Sequence, residues 1–133
     1  MIVVDASAAL EVLLRGPAAD ALEARLFAPG ETLHAPHLID LEVAQVLRRH
    51  TLAGRMTAGR AGEALDIWQA FTLRRWPHAA LLPRAWALRE TLTAYDAAYI
   101  ALAEALDSPL LTTDAKLARA AGHGARVEVA GVR

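Results

Sequence analysis

Two short apolar runs in this chain each lead into an aspartate, and together they constrain its fold more than any other feature. IVVDAS places Asp5 directly after Ile2, Val3 and Val4, and LLTTDAKLA leads from Leu110 and Leu111 through two threonines into Asp114. Short continuous apolar runs of this kind suit strands buried on both faces of a parallel sheet. Each run is followed by a helical pattern, and further helices and short strand candidates alternate between them, the order of an α/β domain with a parallel sheet. In such a sheet the carboxyl ends of the strands share one edge, and ligands bind in the crevice there. Asp5 and Asp114 are therefore expected on the same edge.

The expected elements follow from periodicity and punctuation. Residues 2–4 form the first strand, and Ser7 to Leu14 a helix stopped by Gly16 and Pro17. A second helix spans Ala18 to Leu26, Thr32 to Ala35 a weak strand, and Pro36 is expected to open a long helix reaching about Ala53, with Gly54 ending it. Thr57 caps a further helix running to Phe71, and a short third strand falls within Leu73 to His78. Pro83 to Leu92 and TAYDAAYIALAEAL read as helices, Leu110 to Thr112 as the fourth strand, Ala115 to Ala121 as the last helix, and Arg126 to Val132 as a closing strand.

Composition excludes several classes. The 133 residues suit a single domain over 1–133, and 55% hydrophobic content supports a sizeable core. No stretch approaches the roughly 18 unbroken apolar residues of a membrane span, and Asp5 interrupts the N-terminal run too early for a secretory signal. With no cysteine, disulfides and thiolate metal sites are excluded, which suits a cytoplasmic protein. The charges balance, 14 basic against 15 acidic, so no global basic field marks a nonspecific nucleic-acid binder.

Four acids stand where a purely structural sequence has little use for them: Asp5, Glu42, Asp96 and Asp114. Helix capping alone would account for Asp5 and Asp114, and Thr93 with Asp96 has capping-box spacing. Glu42 is different. Its helical neighbours at i−4, i−3 and i+4 are Leu38, Ile39 and Val46, so it lies on or beside the apolar stripe with no basic residue at those positions to pair with. Asp40 falls nearly opposite it and reads as a solvated acid, so Asp40→Asn is expected to be almost silent in a cleavage assay, where Glu42→Gln should weaken activity. Four carboxylates converging on one edge would repel one another unless they took up protons or a cation. An all-oxygen donor set favours Mg²⁺ or Mn²⁺ over zinc. Such ions serve phosphodiester hydrolysis without a protein nucleophile.

The motifs VVDAS, PHLIDLEVAQVLRR, TAYDAAYIALA and LLTTDAKLA, in this order and spacing across nearly the whole chain, resemble the PIN domain family and, more narrowly, the VapC toxins of type II toxin-antitoxin systems. The resemblance implies a three-layer α/β/α sandwich with a short, mostly parallel sheet, a homodimer, and an antitoxin that inserts a segment beside the active site. It implies that Asp5, Glu42, Asp96 and Asp114 coordinate Mg²⁺ or Mn²⁺, with Asp5 and Asp96 as the foremost ligands, Thr112 supporting the last acid, and Ser7 as the polar position after the first.

The expected activity is metal-dependent endoribonuclease cleavage of cellular RNA, restrained by a cognate antitoxin. Arg15, Arg48, Arg49, Lys116 and Arg119 are candidates for RNA-backbone contacts, each weighed against a plain solvated surface. Trp68, Phe71, Trp76 and Trp86 are candidates for a protein groove, weighed against a place in the core. Two rival readings stay open. In one, the chain is a noncatalytic α/β binding module whose acids are caps. In the other, Asp5 is the nucleophile of an aspartyl-phosphate phosphatase, although Ser7 stands where that chemistry expects a second acid.

Overall fold

A computed structural model describes residues 1–131. Five strands, β1 (Ile2–Val4), β2 (Leu33–Pro36), β3 (Arg74–Trp76), β4 (Leu110–Thr112) and β5 (Val127–Val129), form one sheet in the order β3-β2-β1-β4-β5. Every pairing is parallel: Val3 faces His34 and Leu110, Pro36 faces Trp76, and Leu111 faces Glu128. All residues of β1, β2 and β4 are buried, as expected for central parallel strands covered on both faces. The edge strands β3 and β5 are more open and carry charges.

The helices are α1 (Ala6–Leu13), α2 (Ala19–Leu26), α3 (Ile39–Leu52), α4 (Ala58–Ala70), α5 (Leu82–Ala87), α6 (Ala94–Leu106) and α7 (Ala115–Arg119). The alanine-rich α6 lies across β1, β2 and β4, with α5 packed on it. Its seven consecutive buried residues, Ala97 to Ala103, are mostly small enough to let helix and sheet approach closely. From the other side α1 packs on β4 and gathers α2, α3 and α4 around it. This is the expected three-layer α/β/α sandwich, with Ile2, Val3, Val43, Ile100 and Leu110 among its fully buried core.

The chain departs from the expected elements at a few points, each with a local cause. Pro36 does not open the long helix; it is the last residue of β2, and α3 starts at Ile39. The β1–β2 register ends at Val3 and His34, so the missing N–H of Pro36 breaks no rung there. The residue before proline is also held extended, which keeps Ala35 in the strand. Pro83 lies inside the first turn of α5, which is preceded by a 3-10 turn at Ala79–Leu81 and ends at Ala87, short of Leu92. The last helix stops at Arg119 instead of Ala121, and the closing strand covers only Val127–Val129; Val132 of the expected strand lies outside the described residues. Gly54 ends α3 as expected, with φ +71 just beyond the C-cap Ala53.

Candidate functional site

The strand order puts a topological switch between β1 and β4. From β1 the chain winds toward β2 and β3, and from β4 it winds the other way to β5, so a crevice opens at the carboxyl ends of this pair. Asp5 leaves β1 there, and Thr112, Thr113 and Asp114 leave β4 beside it.

Asp5 is only 6% exposed and is held by three donors. Ser7 Oγ donates to its Oδ1 at 2.7 Å and the Ala8 N–H to the same oxygen at 3.0 Å, while Thr112 Oγ1 donates to Oδ2 at 2.5 Å. Each hydroxyl also accepts a backbone N–H, Ser7 from Thr113 and Thr112 from Asp114, both at 3.0 Å. Each hydroxyl has one proton, and both protons go to Asp5, so the 3.2 Å contact between Ser7 and Thr112 has no proton left to share. The bonds suit an ionised Asp5. Burial nevertheless raises its pKa above the usual carboxylate range against these donors, and the charge of Asp96 adds to the rise.

Glu42 sits in the first turn of α3, beside a groove that Ala6, Leu10, Leu38, Val46 and Tyr95 help to line. Its Oε1 accepts a 2.5 Å hydrogen bond from the hydroxyl of Tyr99. Burial raises its pKa, the tyrosine bond opposes the rise, and Asp96 and Asp5 add to it. Asp96 lies in the first turn of α6, where its backbone N–H is capped by Thr93 Oγ1 at 3.2 Å. Burial raises its pKa first and the charge of Asp114 second, against the pull of Lys116. Asp114 caps α7 through the Lys116 N–H at 2.9 Å and meets the Lys116 ammonium at 3.6 Å. Capping and clustering are thus compatible: Asp5 and Asp114 do both.

The four acids form a chain of mutually repelling neighbours, Asp114 to Asp96 and Asp96 to both Asp5 and Glu42. Among the described residues, Asp5, Glu42 and Asp96 have no ion pair with any basic side chain.

The PIN domain model matches residues 2–123 of the chain. The chain belongs to the PIN domain family. Among its relatives, ribonuclease VapC9 of Mycobacterium tuberculosis is 45% identical over 117 residues, which cover 88% of either chain. Ribonuclease VapC12 of the same organism is 41% identical over 129 residues, covering 97% of this chain and 98% of the relative. Of solved structures, PAE2754 from Pyrobaculum aerophilum superposes with a TM-score of 0.68 at 27% identity, over 96% of this chain and 83% of that one. VapBC2 from Rickettsia felis, bound to a fragment of promoter DNA, gives a TM-score of 0.72 over 98% of this chain and 99% of that one; at 16% identity this likeness is one of fold.

Within this PIN domain, the donor set suits a hard cation, being all carboxylate and hydroxyl oxygen. Among the described residues no three acidic or histidine side chains stand close enough to hold an ion between them. Asp5 is already turned toward three donors, and Glu42 toward Tyr99. The arrangement fits an ion held by one or two carboxylates and otherwise by water, the mode that Mg²⁺ favours.

Of the basic residues, Lys116 stands beside Asp114, and Arg49 lines the groove next to Glu42. Arg48 and Arg119 are exposed on α3 and α7. Arg15 is not brought to the site. It follows α1, whose other end carries Asp5, and its guanidinium is engaged by Asp20 at 2.7 Å and by Glu23. Trp68 is in the core and Trp86 is exposed.

Asp40 calls for a correction. It points away from Glu42 as expected, yet it is not a free solvated acid. It accepts from Arg75 Nε at 2.7 Å, Arg75 Nη2 at 2.8 Å and Trp68 Nε1 at 2.8 Å, tying α3 to β3 and α4. The Arg75 guanidinium beside it holds its carboxyl below the usual range. Sequence reasoning also missed Tyr99. Its position, three residues after Asp96 on a helix whose first turn carries that acid, was the available signal.

Proposed function

We propose that this chain is a divalent-metal-dependent endoribonuclease toxin of the VapC kind, a single domain over residues 1–133. It would act in the cytoplasm as a homodimer under the control of a VapB-like antitoxin. One observation supports the catalytic reading: acids from four separate elements lie near enough to repel one another, and three of them lack a cationic partner among the described residues. Half-buried like charges left in that state call for a cation. The names of relatives above 40% identity along nearly the whole chain point to ribonuclease activity.

Asp5 and Asp96 would hold Mg²⁺ or Mn²⁺, with Glu42 and Asp114 completing the site or ordering its waters. Such an ion supplies a nucleophilic water and stabilises the charge that develops on a phosphodiester. Ser7 and Thr112 aim Asp5 and favour its ionised form against the opposing effect of burial, and Thr112 holds the loop of Asp114 by accepting its backbone N–H. Lys116 and Arg49, with Arg48 and Arg119 farther along their helices, would meet the RNA backbone. Neither cap-only binding nor a phosphoaspartate is favoured. A binding module has no use for uncompensated acids, and Ser7 stands where a phosphoaspartate enzyme needs its second acid.

The test is Mn²⁺ binding by electron paramagnetic resonance, followed by RNA cleavage, on the wild type beside Asp5→Asn, Asp96→Asn and Glu42→Gln. Weaker binding in the first two and a roughly 10- to 100-fold loss of cleavage in the third, with the fold intact, are expected. Binding indifferent to Asp5 and Asp96 would return these acids to the role of helix caps.

A further inference from the structure

We propose that Tyr99 is a positioning residue for Glu42, fixing which carboxylate oxygen is left free to face the acid cluster. The inference rests on the metal-dependent reading above and adds to it a residue outside the acidic set.

Glu42 has a long side chain, and no basic residue holds it among the described residues. Left alone in a partly apolar groove, its carboxylate would sample several rotamers. Tyr99 removes that freedom from the neighbouring layer. Its side chain is 2% exposed, on the face of α6 that is buried against the sheet, so the ring is locked by core packing and its hydroxyl is fixed in space. Among the described residues, the one side-chain hydrogen bond of that hydroxyl goes to Glu42 Oε1 at 2.5 Å. An ionised carboxylate has no proton to give, so the tyrosine donates to Oε1, while Oε2 has no hydrogen-bond partner among the described residues.

The same tyrosine lies one helical turn after Asp96. A single rigid helix therefore presents one acid directly and sets the orientation of another from α3. Groups that fix a ligand through a hydrogen bond are worth about 10- to 100-fold in metal affinity when removed. A buried tyrosine whose hydroxyl only completed the core would leave metal affinity untouched.

The experiment uses the full chain with Mn²⁺ as the probe. Tyr99→Phe keeps the ring and removes the donor. The expected result is Mn²⁺ binding weakened about 10-fold, with the circular dichroism spectrum and thermal midpoint close to wild type. In the double-mutant cycle, Tyr99→Phe should add nothing to Glu42→Ala, because the two act through one carboxylate. Wild-type Mn²⁺ affinity in a folded Tyr99→Phe protein, additive losses in the cycle, or loss of the fold on removing the hydroxyl would each overturn the proposal. A wild type that binds no Mn²⁺ would instead overturn the metal-dependent reading itself.

Discussion

Asp40 and Glu42 stand two residues apart on one helix and illustrate how the partner of a charge decides its role. Periodicity puts them on different faces, and the structure agrees. What periodicity cannot supply is the identity of the residue across the gap. Asp40 meets a guanidinium from β3 and an indole from α4, so its charge is compensated and its role is to join three elements. Glu42 meets a neutral hydroxyl, so its charge stays available. Asp40→Asn keeps one acceptor but loses the charged bidentate pair with Arg75. A destabilisation of about 1–2 kcal/mol is therefore expected, read as a lower urea midpoint at unchanged slope. An unchanged midpoint would mean that the pair is too exposed to contribute. The acidic pattern at the site was legible because strand-acid-helix junctions and an acid on an apolar stripe violate local rules. The hydroxyl relay from Asp5 through Thr112 to the Asp114 loop, and the Tyr99 donor, join residues more than fifty positions apart, where no local pattern reaches.

At the scale of elements, the central strands and the long helices were legible from apolar runs, spacing and caps: Thr57 and Thr93 cap α4 and α6 through backbone N–H groups at 3.1 and 3.2 Å. The clearest departure falls where Pro36 was taken as a helix opener. Pro36 instead ends β2, because tertiary pairing with β3 continues through it as far as Trp76. That pairing has a titratable stitch. His34 on β2 is buried, with Nε2 2.8 Å from Thr32 Oγ1, while Nδ1 accepts from Trp76 Nε1 at 3.0 Å on β3. The indole donor requires a neutral ring, and burial lowers the pKa of His34, with the N-terminal ammonium and Arg74 adding to the fall. The unfolded chain therefore binds the proton more readily. The contribution of His34 is fully present above the ordinary histidine pKa of about 6.5 and is lost as pH falls below it. In His34→Gln the side chain still accepts but does not titrate. The stability advantage of the wild type over this variant is expected to shrink steadily from pH 8 to pH 5 in urea titrations. A gap independent of pH would remove His34 as the source.

At the scale of the molecule, the order β3-β2-β1-β4-β5 decides where chemistry can occur, since it brings together the ends of two strands that are far apart in sequence but adjacent in the sheet. Alternation of helices and strands indicated a parallel sheet, and the resemblance to a known family supplied its layers. Neither could show how tightly the four acids close. They stand near enough to repel, yet among the described residues no three of them come close enough to grip one ion unaided. Such a site carries a stability deficit that a cation should cancel. Asp96 tests this most cleanly. The N-terminus of α6 favours its charge by about 0.3–1 kcal/mol, yet burial and Asp114 still raise its pKa, so the net environment opposes ionisation. In metal-free buffer near pH 7.5, Asp96→Asn should therefore melt at a higher temperature than the wild type. Adding Mn²⁺ should reverse the order. At a hundred times its dissociation constant a ligand stabilises the wild type by about 2.7 kcal/mol, a shift of roughly 10 °C for a domain of this size, whereas the variant should hardly move. If Asp96→Asn instead melts lower without metal and both proteins respond equally to Mn²⁺, the carboxylate is a structural helix-terminal charge, and the cation belongs elsewhere.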